Sequence, residues 1–147
     1  MEKNKNLNPQ VCKIQYTEIE NVAAIIRGSS RSRRKVTFLP GKTWKEIYGT
    51  PGKIVYEEKP SPGGSGVLYE QRADMFYPGR DKSNLTDFYD FEETIFLYKV
   101  TYTNRDEYLI GNLNEPASVV LDFSTVKGGG AISFICNSTE KAYIFEV

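Results

Sequence analysis

Few residues of this chain are equipped for chemistry. Among its 147 residues there is no histidine. Neither a Ser–His nor a Cys–His nucleophile can therefore be assembled, and the side chain that most often moves protons near neutral pH is missing. A Ser–Lys pair would need a motif that the sequence lacks. Gly41-Lys42-Thr43 ends like a phosphate-binding P-loop, but that loop requires a glycine five residues before Gly41, and position 36 is Val. The glycine clusters at 63–66 and 128–130 open no helix and so gain no helix dipole. They read as a mobile loop and a hairpin tip.

Carboxylates occur in pairs: Glu57-Glu58, Asp87 with Asp90, and Glu92-Glu93. A glycosidase needs two such groups roughly 5–9.5 Å apart in a cleft. These pairs fall at loops and strand ends, where a solvated acidic rim is expected, and they do not match the spacing of a calcium loop. Cys12 and Cys136 fall two ligands short of a structural zinc site and are expected to be free, buried thiols, with a disulfide joining the two ends of the chain as the alternative. No catalytic residue, metal or cofactor is expected, and the chain does not read as an enzyme.

Arg27, Arg31, Arg33, Arg34 and Lys35 place five cations within nine residues. Such density suits phosphates or an acidic protein surface. The run has no interleaved aromatics on which bases would stack, and the formal net charge of the chain is zero, so a subunit contact is preferred to nucleic acid. The zero is a cancellation. Residues 1–53 carry 11 Lys/Arg against 4 Asp/Glu, net +7, and residues 54–147 carry 8 against 15, net −7. A molecule polarised in this way can meet its own copies head to tail, with Asp87, Asp90, Glu92 and Glu93 as the acidic counterpart. The ten Tyr, eight Phe and one Trp suit core and interface positions. A carbohydrate platform using exposed Tyr and Trp44 is the rival use.

The elements that must position these residues read mainly as strands. Residues 1–10 form a flexible or partner-docked arm, and 11–147 a single β domain. Strands are expected at 11–19 (with Cys12, Ile14 and Tyr16 on one side), 21–26, 36–39, 53–58 and 67–77. Others are expected at 93–103, 107–110, 117–123, 131–136 and 142–147. Residues 27–35 read as a polar connection and 60–66 as a mobile loop. In 93–103, Ile95 and Leu97 face one way and Phe96, Tyr98, Val100 and Tyr102 the other. Thr43 and Glu46 have capping-box spacing, and Trp44, Ile47 and Tyr48 share a helical face, which predicts a helix over 43–48. A further helical turn is expected at 85–89. The total is about nine or ten strands with one or two short helical turns, an all-β, mainly antiparallel sandwich or barrel. The longest apolar run, 22–26, is far short of the roughly 20 residues of a membrane helix. No apolar segment follows residues 1–5, so no leader is expected.

The second half resembles small β-sandwich structural proteins of tailed bacteriophages and prophages of Bacteroides-type hosts. The resemblance is carried by Tyr102-Thr103-Asn104-Arg105-Asp106-Glu107-Tyr108-Leu109-Ile110-Gly111-Asn112 and by Glu115-Pro116-Ala117. It continues through Gly128-Gly129-Gly130-Ala131-Ile132-Ser133-Phe134 and Ala142-Tyr143-Ile144-Phe145. It implies a tail or head–tail connector subunit that forms rings with its own copies and binds other virion proteins, assembled in the host cytoplasm. On that reading the arm 1–10 and the loops 60–66 and 79–92 reach neighbouring copies and order on binding, while the cations of 27–35 face an acidic surface. A nucleic-acid-binding β-barrel using 27–35 and a carbohydrate-binding β-sandwich are the alternatives.

Overall fold

A computed structural model describes residues 9–47, 53–64, 66–77, 94–124 and 129–147. The described strands are β1 (Val11–Glu18), β2 (Val22–Arg27), β3 (Arg33–Phe38), β4 (Lys45–Ile47), β5 (Val55–Gly63), β6 (Gly66–Tyr77), β7 (Phe96–Tyr102), β8 (Glu107–Ile110), β9 (Ser118–Ser124), β10 (Gly129–Ser138) and β11 (Tyr143–Phe145). A 3-10 turn, Ile19–Asn21, joins β1 to β2. The strands form a seven-stranded sheet, β2-β3-β11-β8-β7-β1-β4, and a four-stranded sheet, β5-β6-β10-β9. The expected mainly antiparallel sandwich is what the chain forms, and the one parallel pair among the described strands is β3 with β11. All four strands of the basic first third lie in the larger sheet, so the charge segregation along the sequence follows the layers in part.

That larger sheet cannot be flat. Four strands separate β1 from β2, which in a flat sheet is about 24 Å at five spacings of about 4.8 Å. Glu18 and Val22 are four residues apart and reach at most about 14 Å when extended. The sheet must therefore curl enough to bring the start of β2 within reach of the end of β1, and the Leu39 N–H, donating to the Asn21 carbonyl at 3.0 Å, extends the β2–β3 pairing back to that turn.

Curling gives β7 and β8 two buried faces. On one, Phe96, Tyr98, Val100 and Ile110 meet Ile14, Tyr16, Ala73, Met75, Ile132 and Phe134 between the sheets. The Tyr98 hydroxyl donates to the Gln71 carbonyl at 3.1 Å, which ties the layers together. On the other face, Leu97 and Leu109 sit inside the curl with Val22, walled by Val36, Phe38, Trp44 and Phe145. The alternation read in 93–103 is thus correct within β7, where both faces are interior from Phe96 to Val100, while Ile95 precedes the strand and is half exposed. Lys99 shares the Leu97 face. Its ammonium lies 4.1 Å from the Phe145 ring centre and 5.0 Å from that of Trp44, and it pairs with Glu107 at 3.4 Å. Burial lowers its pKa, against the opposing pull of Glu107.

Several local expectations are corrected. Residues 43–48 hold no described helix: Trp44 stacks edge-to-face on Phe38 and Phe145 at 5.5 and 5.8 Å, and Lys45–Ile47 is the edge strand β4, paired with β1. Residues 27–35 are not a plain connection, because β3 begins at Arg33 and pairs Arg27 with Arg34. The segment 60–66 is not a free loop, because its residues 60–63 and 66 belong to the paired strands β5 and β6. Cys12 is exposed while Cys136 is buried, and both are free. A bulge between Val11 and Lys13 slips the alternation, turning Val11 in and Cys12 out. The helical turn expected at 85–89 lies outside the described residues.

Three measurements test this packing. Glu107→Ala strands the Lys99 ammonium, whose side chain is 7% exposed, and should cost about 3 kcal/mol in chemical denaturation. Lys99→Met keeps the stem, leaves Glu107 its Thr101 hydroxyl and should stay within about 1 kcal/mol of the parent. Burial, with Glu115 second, pushes the Cys136 thiol up to about 11. At pH 8 a thiol reagent should therefore label Cys12 alone until the chain unfolds. The unfolded thiol ionises from roughly pH 8.5, so stability from this group is complete below that pH and lost on the way to the folded value. Cys136→Ala should flatten the first part of that alkaline decline.

Candidate functional site

The β5–β6 hairpin outruns its own sheet. Its pairing runs from Val55↔Asp74 to Gly63↔Gly66, whereas β10 joins β6 only from Tyr69 onward. Residues 61–63 and 66–68 therefore project about 10 Å past β10. Neighbouring strand residues point to opposite faces, and Val67 and Leu68 are 48% and 42% exposed, so this finger is packed on neither side. Gly66, at φ +142°, takes the backbone out of the turn in a conformation that a side chain disfavours. Pro60 and Pro62 lie on the edge strand β5. They have no N–H to offer, so the finger's outer edge is a poor template for another strand. Contact along that outer edge would therefore come through side chains.

The five cations of 27–35 are held in different ways. Arg34 stacks 3.9 Å from the centre of the Tyr143 ring and donates to the Arg31 and Arg33 carbonyls at 2.7 and 2.9 Å. Lys35 pairs with Glu146 at 3.6 Å. The same carboxylate accepts the Ser29 hydroxyl at 2.7 Å and the Ser29 N–H at 3.1 Å, and these bonds hold its pKa below the ordinary value. Arg27 and Arg31 are exposed and Arg33 half-buried. None of these three is in an ion pair among the described residues. Asp87, Asp90, Glu92 and Glu93, the expected acidic counterpart, lie outside the described residues, as do residues 79–92 and 1–8 of the proposed arms.

A cleft with no signal in the linear sequence opens where the sheets meet. Tyr56 and Glu58 of β5, Tyr102 of β7, Asp106 of the β7–β8 turn, Tyr108 of β8 and Lys141 of the β10–β11 link wall a volume of about 390 Å³. Tyr102 and Tyr108 meet edge-to-face at 5.7 Å. Glu58 is fixed by the Gln71 side-chain amide at 3.0 Å and the Ala142 N–H at 2.9 Å. The Tyr56 hydroxyl is buried beside the Glu58 carboxylate. Burial foremost, and then the nearby Glu58 charge, push its ionisation far up. Alternation in 107–110 places Tyr108 on one face, but only the β7–β8 register together with the packing of β5 from the other sheet brings three tyrosines and Glu58 to one place. Trp44 does not line this cleft; it lies half-buried against Phe38 and Phe145. Among the described residues no group of three His, Cys, Asp or Glu is placed to hold a metal ion, and no helix is long and apolar enough to cross a membrane.

No protein-family model matches the chain, and no curated protein or solved structure matches it. Arg34→Ala, which loses both the ring and two carbonyls, should lower stability by about 1 kcal/mol. Arg27→Glu with Arg31→Glu should leave the melting temperature unchanged in a thermal scan.

Proposed function

We propose that the chain is a non-enzymatic assembly subunit whose sandwich is a rigid frame for the β5–β6 finger. The finger's exposure on both faces carries this reading. A two-stranded ribbon alone is marginal in water, and two large aliphatic side chains at its end gain from being covered. Arg27, Arg31 and Arg33, outside any ion pair among the described residues, give a second, charged contact that would set orientation and encounter rate more than affinity.

The narrower form of the proposal is a ring-forming component of a bacteriophage tail or head–tail connector. It rests on the resemblance of 102–145. It is supported by the strand, return strand, proline corner and final strands that β7 to β11 adopt in that stretch. Head-to-tail contacts between copies close into rings when the rotation per copy allows.

Val67→Asp with Leu68→Asp should convert a multimeric chain to monomers in size-exclusion with light scattering and remove rings from negative-stain images. The melting temperature should not fall, because neither side chain is packed. A parent chain that stays monomeric at high concentration, alone and mixed with the products of neighbouring genes, overturns the proposal.

A further inference from the structure

We propose that the tyrosine cleft binds an organic cation, a guanidinium or alkylammonium head group. Three features point there. First, Tyr56, Tyr102 and Tyr108 bring three aromatic rings to one opening, and the negative faces of such rings attract cations most strongly where water is scarce. Second, the fixed charge is negative on balance. Glu58 and Asp106 face the cleft, and the one cation on its wall among the described residues, Lys141, has its ammonium 6.0 Å from the centre of the Tyr69 ring, which is not part of the cleft. Third, acceptors are in surplus. Glu58 spends one oxygen, Oε1, on Gln71 and Ala142. Among the described residues the Asp106 carboxylate accepts only from Asn104, at one oxygen, Oδ2.

A guanidinium suits this set better than an ammonium, because its planar fork stacks on a ring while donating to a carboxylate. An anion would face two carboxylates. A neutral sugar would use the rings but leave the charge unanswered. The volume of about 390 Å³ is that of a side-chain-sized ligand rather than a polymer. The Glu58 carboxylate is held by two donors before any ligand arrives, so little ordering remains to oppose binding.

The test titrates the chain with acetyl-arginine amide, tetramethylammonium and, as the neutral control, glucose, following tyrosine resonances by NMR. Both cations should saturate, the guanidinium more tightly, and glucose should leave the resonances unmoved. Asp106→Asn, isosteric at an exposed turn, and Tyr102→Leu should each weaken cation binding by about tenfold, with folding checked by the β-sheet spectrum and melting temperature. Saturation by glucose at equal or lower concentration, no saturable shift with either cation, or full affinity in both variants would overturn the assignment. If acetyl-arginine amide also disperses multimers of the chain, the natural cation belongs to a neighbouring copy. If it binds without changing their size, the cation is a free solute. Either source supports the cleft, and neither depends on the finger, where Val67→Asp and Leu68→Asp leave the cleft untouched.

Discussion

The 3-10 turn between β1 and β2 is the constraint from which the rest follows. Three residues must carry the chain from one side of a seven-stranded sheet to its far edge, and only a curled sheet brings those places together. Curling leaves the central strands covered twice, by the four-stranded layer on one face and by the returning β2–β3–β11 edge on the other. This accounts for a strand buried at five consecutive positions, Phe96 to Val100, with a lysine among them. Lys99 is tolerated because the curl supplies two rings and a carboxylate at the point where its ammonium ends.

The same geometry decides what faces outward. With two cores packed inside the larger sheet and between the layers, β5–β6 is the pair that extends beyond its neighbours. The finger and the charged β2–β3 hairpin belong to different sheets, so a partner touching both must span the two layers. The tyrosine cleft opens at the seam, walled by β5 of one layer and by β7 and β8 of the other, and its shape depends on how closely the layers approach.

The fold class is legible because alternation and turn residues are local signals. Strand β6 and the turn at 103–106 can be read nearly to the residue, and β7 to within three. Where such reading fails, a distant partner has intervened. Trp44, Ile47 and Tyr48 have helical spacing, but β1 offers an open edge that draws Lys45–Ile47 into a strand, while Phe38 and Phe145 capture the indole. Pro60 and Pro62 suggest a loop, because composition does not tell an edge strand, where a proline costs little, from a turn. Arg27 to Lys35 looks like one patch, because stacking of Arg34 on Tyr143 and capture of Lys35 by Glu146 join residues more than 100 positions apart. The cleft is invisible for the same reason: its tyrosines sit on three strands, two neighbours in one sheet and one in the other, brought together by register and by the packing of the sheets.

The parallel pairing of β3 with β11 has a consequence for how the molecule is made. Residues 143–145 lie between β3 and β8, so the last-synthesised of these strands is the seam that joins two halves of a sheet. Until it arrives, the β2–β3 hairpin, which precedes it in the chain, has no neighbour on its inner side. Closure over such sequence distances is slow, and an unsatisfied ribbon waiting in the meantime is exposed to wrong partners. Charged side chains on an open strand edge oppose pairing with another chain, and this hairpin carries Arg27, Arg33, Arg34 and Lys35.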